Sequence, residues 1–408
     1  METSLQTQSK LTGDNYSRAK AAILKYVMLR GQFTIPEIVE LTGFSTTSIA
    51  KYVNTMKEEG LISILSYKES NEKGRRAIIY GIQHDSCFFL GVEVRAFELN
   101  IGLMNFLGEI VESRHIPEFT YENTRENLEQ ACDYVSDFLS SLSDIPSDKI
   151  KAACISLSGR VNSRLGTSAS LYNLEEIRDS SLAEMLSEKF RMPFFVENDT
   201  KAMAMAEYMA NGSEGWKDML YVNISWGLGL GIILNGELYY GKDGYSGEMG
   251  HMYSYNNNIL CHCGKKGCME TEVSARAIQR KLTERIRNGE ASILSGKIKR
   301  GETVTADDII SATEKEDSLC IELVSSTGTE LGKQLAGLIN LFNPEAIIIG
   351  GKLSKVSPFY FLQYVSLAIK QYSLKLISKN VPVLTSRLGD LAGITGTCMI
   401  ARDRSFFN

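Results

Sequence analysis

Proline, tryptophan and histidine are scarce, at seven, two and four in 408 residues, and no run of eighteen apolar residues occurs. The missing run argues against a transmembrane helix. The opening METSLQTQSK is polar, so no signal peptide is expected and the cytoplasm is the expected compartment. Few prolines, with 43% hydrophobic and 23% charged residues, exclude global disorder. The length is that of two or three domains. A net charge of −5 speaks against a protein coated in nucleic acid along its whole length. That charge is unevenly split. Residues 1–84 hold eleven Lys+Arg against eight Asp+Glu, so a basic head precedes an acidic body.

Five of the eight cysteines, Cys87, Cys132, Cys154, Cys320 and Cys398, stand alone and read as reduced core thiols. The other three crowd into Cys261-His-Cys263-Gly264-Lys-Lys-Gly267-Cys268.

The first eighty residues have the spacing of a winged helix-turn-helix. Ala19, Ile23, Leu24, Val27 and Met28 form the stripe of a helix from Asn15 to Arg30, which Gly31 stops. Thr34-Ile-Pro-Glu37 is a capping box with proline in the first turn, and Ser45 caps a third helix running to about Glu59. Ile49, Val53 and Met56 face inward on that helix, leaving Thr46, Thr47, Ala50, Lys51 and Asn54 outward. Two strand-like runs, 61–68 and 77–82, flank a polar tip that ends in Arg75-Arg76. Small polar residues at the start of the third helix (Ser45, Thr46, Thr47), with Asn54, can approach base edges. Lys51, Arg75 and Arg76 can meet phosphates or enter the minor groove of double-stranded DNA.

From Phe88 the chain shows strand-like runs at 88–94, 97–104 and 109–113, a helical stretch around Thr124–Leu142, and a buried strand at 151–156. A second triplet, 219–225, 229–234 and 237–240, turns at Asn235-Gly236, and helices and a strand at 346–349 follow. A strand triplet, helix and strand occurring twice predict two α/β lobes with a cleft between them. Gly159, Gly227-Leu-Gly229-Leu-Gly231 and Gly350-Gly351 are expected in loops leaving those strands, where a ligand needs close backbone approach.

Cys-x-Cys-x4-Cys supplies three thiolates, and His251, ten residues upstream, is the expected fourth ligand. Cys261, Cys263, Cys268 and His251 would hold one structural zinc per chain, with its coordination filled. His262 is the rival ligand. A filled Cys3His site has no open position, which excludes a zinc hydrolase.

Glu248-x-Gly-His251 followed by Cys-x-Cys-Gly-x-x-Gly-Cys-x-Glu270 resembles the signature of the ROK family of repressors, open reading frames and sugar kinases. Val196-Glu-Asn198-Asp199, Asn343-Pro-Glu345 with Gly350-Gly351, and Gly389-Asp-Leu-Ala-Gly393 fit as well, over about residues 85–405. The resemblance implies a two-lobed actin-like body of the sugar kinase type. Its parts are a DNA-binding head at 1–84, a first lobe at 85–198 completed by 385–408, and a second lobe at 199–384 carrying the zinc loop and dimerisation surface. It implies a carbohydrate site at Gly159, Asn198, Asp199, Glu248, His251 and Glu270. The expected partners are an operator, a sugar or sugar-phosphate effector and a second copy of the chain, with a tetramer as the larger alternative; no membrane is expected.

In the family kinases the counterpart of Asp199 is the general base, and glycine-containing loops hold ATP phosphates. Here the first motif, Asp-x-Gly-x-Thr, stands as Glu93-Val-Arg95-Ala-Phe97, and the Gly-Thr-Gly of the second as Gly227-Leu228-Gly229. Glycine and two hydroxyls are lost. The expected function is therefore a sugar-responsive transcriptional regulator, a repressor rather than an enzyme; an ATP-dependent sugar kinase with a regulatory head is the alternative.

Overall fold

The computed structural model describes residues 2–67, 77–170, 172 and 181–407. The head opens with α1 (Glu2–Arg30), α2 (Ile35–Thr42) and α3 (Thr46–Glu58), followed by the antiparallel pair β1 (Ile62–Tyr67) and β2 (Ile78–Ile82). α1 starts well before Asn15: residues 2–14 carry no apolar stripe in the sequence, so periodicity predicts only the later part of the helix. The capping box forms as expected, with the Thr34 amide donating to Glu37 at 2.7 Å. Gly43, at φ 70°, turns the chain into α3, where Ser45 Oγ accepts the Ser48 amide. The wing tip with Arg75 and Arg76 lies outside the described residues.

The body repeats one pattern twice. β3 (Phe88–Arg95), β4 (Glu98–Asn105) and β5 (Ile110–Ile116) form an antiparallel meander, followed by α4 (Arg125–Ser141). β6 (Ile150–Leu157) then adds parallel to β3. A small hairpin, β7 (Val161–Asn162) and β8 (Thr167–Ser168), and α5 (Leu182–Phe190) lead to β9 (Phe194–Asn198), parallel to β6. The sheet order is β5-β4-β3-β6-β9.

After α6 (Asp199–Ala210), β10 (Met219–Ile224), β11 (Leu228–Leu234) and β12 (Glu237–Leu238) form the second meander. Asn235 and Gly236, at φ 53° and 81°, make its hairpin turn. The helices α7 (Ala275–Arg287), α8 (Ser295–Lys299), α9 (Ala306–Glu314) and α10 (Ser318–Phe342) cover one face. β13 (Ala346–Gly350) joins β10 in parallel, α11 (Leu362–Tyr372) and α12 (Lys375–Ser378) follow, and β14 (Val383–Thr385) completes the order β12-β11-β10-β13-β14. The chain closes with α13 (Leu391–Phe406).

α6 and α13 cross between the two sheets, and glycine lets them approach. A Cβ on Gly396 would collide with the Ala202 carbonyl. Gly229 and Gly231 were expected in a ligand loop; they lie within β11 instead. A Cβ at either position would strike Thr200 or Ala204 of α6, so these glycines serve helix-on-sheet packing rather than a ligand.

The head does not hang free. Its core of Ile23, Leu24, Val27, Ile49 and Val53 is continuous with Phe89, Phe106, Cys154 and Ile400 on the back of the first sheet and α13. The five solitary cysteines are all buried and free. No helix among the described residues is long and apolar enough to cross a membrane.

Candidate sugar cleft and metal loop

Three strands place the cleft residues. β6 ends at Leu157, and Ser158 Oγ then donates to Asp199 Oδ2 at 2.6 Å. β9 ends at Asn198, which caps α6 by accepting the Lys201 amide at 3.0 Å and donates its own amide to the Gly159 carbonyl at 2.9 Å. Gly159, at φ 92°, makes that turn. Asn198 is thus partly committed to building the site. Asp199 is buried; burial pushes its carboxyl up, against hydrogen bonds from Ser158 and Thr200.

The far wall comes from the segment after β12. Glu248 feels the charges of Lys201, Arg160, Asp199 and Glu270, and burial raises its carboxyl. Lys201 is buried and donates to the Ser246 carbonyl at 2.9 Å; burial lowers its ammonium. His251 presents Nδ1 to Cys261 Sγ at 3.6 Å and Nε2 to Glu248 at 3.8 Å, so one ring edge faces the cysteines and the other the carboxylates. The sequence does not single out Arg160 or Lys201, which the fold brings beside these residues. Lys201 lies two residues beyond Asp199 and Arg160 one beyond Gly159, but neither has a pattern that separates it from a solvated surface charge.

Glu270 sits beneath Gly227, accepts the Leu228 amide at 3.0 Å and meets His262 Nδ1 at 2.9 Å. Burial would raise its carboxyl, but the His262 hydrogen bond and charge hold it below the usual range. His262 is thereby occupied with Glu270, although Cys261, His262 and Glu270 form a second, looser trio.

The ligand atoms of His251, Cys261, Cys263 and Cys268 lie within 4.8 Å of one another. Cys263 and Cys268 sulfurs are 3.6 Å apart, close to the roughly 3.7 Å edge of a tetrahedron with zinc–sulfur bonds of about 2.3 Å. Gly264 and Gly267, at φ 85° and 76°, curl the loop around that point. Three thiolates and an imidazole in this spacing fit a zinc ion whose coordination they would fill.

The first phosphate motif has a different occupant. Arg95 Nε is 2.9 Å from the fully buried Glu93, and Nη1 is 2.6 Å from Glu98. Lys352, next to Gly351, reaches Glu98 at 3.3 Å from the second sheet. Phe97 meets Trp226 edge-on at 5.3 Å. The cations that a phosphate would seek are neutralised by the chain's own carboxylates.

On the head, Thr46, Thr47, Lys51 and Asn54 are exposed along one face of α3, while Ile49, Val53 and Met56 are buried. Ser45 is exposed, with its hydroxyl used in capping.

The model of the ROK family matches residues 89–404. The chain belongs to the ROK family. Among its ROK relatives, the DNA-binding transcriptional dual regulator NagC of Escherichia coli is 28% identical, over 94% of this chain and 92% of that protein. A glucokinase of Halalkalibacterium halodurans is 29% identical, over 76% of this chain and 93% of that protein. A solved ROK family transcriptional regulator, a homologue of the E. coli MLC protein, superposes with a TM-score of 0.79 at 26% identity, covering 97% of each chain. The glucokinase match covers 76% of this chain, whereas those of the two regulators cover 94% and 97%.

Proposed function

We propose that this ROK protein is a cytoplasmic, sugar-responsive transcriptional repressor that binds an operator as a homodimer, holds one structural zinc per chain and does not phosphorylate sugar. The reading assigns DNA binding to the head, residues 1–84. The sugar sits between a first lobe (85–198 with 385–408) and a second lobe (199–384). One observation carries it: α3 leaves Thr46, Thr47, Lys51 and Asn54 unburied on a single face of the head. Such a face fits the major groove, and the basic wing residues Arg75 and Arg76 meet the backbone.

The coupling is mechanical. A sugar gripped by Asp199 and Asn198 on one side and by Glu248, His251 and Glu270 on the other favours closure of the cleft. The head shares a core with the first sheet, so it moves with that lobe. Half-site spacing on DNA is rigid, and changing the separation of two heads costs affinity. Zinc, when bound, only braces the loop; His251, Cys261, Cys263 and Cys268 hold it and Glu270 rides on the same segment.

The alternative, a sugar kinase, draws on Asp199, which is buried and hydrogen-bonded like a general base. Against it, Arg95 stands in the phosphate motif, paired with Glu93 and Glu98. The test selects an operator from random duplexes and measures its retention in gel shifts with N-acetylglucosamine, xylose and glucose, alongside coupled ADP release. We expect selection of a defined duplex whose affinity a sugar changes, and no turnover. Turnover at a kinase-like rate, about 1–100 per second, would reverse the assignment.

A further inference from the structure

Arg160 directly follows the Gly159 turn of the proposed cleft, and no described carboxylate pairs with it. It follows Gly159, whose carbonyl accepts from Asn198, and lies two residues after Ser158, which holds Asp199. Its backbone amide and its Nε both donate to Ser170 Oγ, at 3.0 and 3.3 Å. These bonds restrain the side chain while leaving both terminal nitrogens without a partner among the described residues. The residue is exposed, and none of the described carboxylates forms an ion pair with it. The other cations around the cleft differ. Lys201 is buried and spent on the Ser246 carbonyl, and Arg95 is held by Glu93 and Glu98. The charge of Arg160 acts on Glu248 of the segment after β12, and the exposed Lys265 of the metal loop is a second cation beside that segment.

A neutral sugar gives such a group single hydrogen bonds only, and leaves its charge unmatched. Its hydroxyls are served by Asp199, Glu248 and Glu270, which accept hydrogen bonds, whereas a guanidinium fork suits an anionic oxygen cluster that can take two parallel bonds. A negative substituent on the sugar would also be repelled by the three cleft carboxylates unless a cation met it, and Arg160 is an exposed cation next to Gly159, which Asn198 bonds.

We propose that Arg160 is the specificity-determining residue of this cleft and selects a phosphorylated sugar over its neutral parent. The inference rests on the reading of the cleft as a sugar site. Phosphate monoesters present three oxygens and nearly two negative charges at neutral pH, which the guanidinium binds in bidentate fashion while the ring lies between Asp199 and Glu248.

The experiment is calorimetric titration of the full-length protein with glucose, glucose 6-phosphate, N-acetylglucosamine, N-acetylglucosamine 6-phosphate, glucuronate and inorganic phosphate. For at least one pair, the phosphorylated sugar is expected to bind about tenfold or more tightly than its parent, with the advantage shrinking as salt is added. Arg160→Gln should bring that ratio close to one, and Arg160→Lys should retain part of it. If Arg160→Gln fails to fold, the ratio in Arg160→Lys and the salt dependence of the wild type carry the test. Equal binding of a sugar and its phosphate by the wild type, or an unchanged ratio in Arg160→Gln, overturns the inference and leaves the sugar site standing. Glucuronate binding more tightly than glucose 6-phosphate overturns the phosphate assignment. Binding of no sugar at all defeats the reading of the cleft itself.

Discussion

His262 Nδ1 lies 2.9 Å from Glu270 Oε1, so the residue between two zinc-type cysteines grips a carboxylate of the proposed sugar cleft. The metal loop and the cleft are one mechanical unit. Removing zinc with a chelator, or replacing Cys268 by serine, should therefore lower metal content and effector response together. Metal analysis by mass spectrometry, paired with sugar titration, checks this. Full zinc occupancy in His251→Ala would transfer the fourth ligand to His262.

The exposed face of α3 separates two kinds of DNA contact. Thr47→Ala should alter sequence preference at one base pair by about 1–3 kcal/mol. Lys51→Ala should weaken all duplexes and reduce the salt slope by about one. Neutralising Arg75 and Arg76 together should act like Lys51, more strongly. Salt-dependent fluorescence anisotropy on specific and scrambled duplexes distinguishes the classes. Normal operator binding by the double arginine variant at moderate salt contradicts the wing assignment.

The proposed cleft sets Asp199 and Glu248 against the effector, and both lie far along the chain from α3. Asp199→Asn and Glu248→Gln should leave operator affinity within about twofold of wild type, while removing a sugar effect worth about 1–3 kcal/mol. Gel shifts with and without effector report both quantities. A variant that lost DNA binding but kept its sugar response would break the proposed division of labour.

Arg95 is structural in this chain. Arg95→Ala leaves the fully buried Glu93 without its cation, and thermal and urea unfolding should register a loss of about 3 kcal/mol. The same variant should gain no ADP-releasing activity, because Glu93 and Phe97 still differ from the phosphate-binding pattern. A stable, ATP-hydrolysing Arg95→Ala protein would contradict this account of the motif.

Gly396 presses α13 against α6. Gly396→Ala should destabilise the body by about 3 kcal/mol, since its methyl group meets the Ala202 carbonyl rather than a yielding side chain. Urea unfolding with an unchanged m-value is the expected signature. A neutral substitution would show that the two helices separate readily, and that α6 and α13 do not form a rigid pivot between the sheets.

Local sequence determined what depends on local physics. The capping box at Thr34 and Glu37, the Ser45 cap, the Asn235-Gly236 turn and the duplicated strand triplets all follow from periodicity and turn chemistry within a few residues. The zinc-type loop was equally legible, because three cysteines in eight residues have few other uses. Tertiary structure decided the rest. Gly229 and Gly231 look like ligand-loop glycines until α6 is laid across β11. Arg95 looks like damage to a phosphate loop until Glu93, Glu98 and, from the other sheet, Lys352 are seen around it. Lys201 and Arg160 are both isolated basic residues in the chain. One is buried and spent on a carbonyl, while the other is exposed and pairs with none of the described carboxylates. Whether a charge is spent depends on groups dozens to hundreds of residues away, and Coulomb and hydrogen-bond energies depend on distance in space rather than position along the chain.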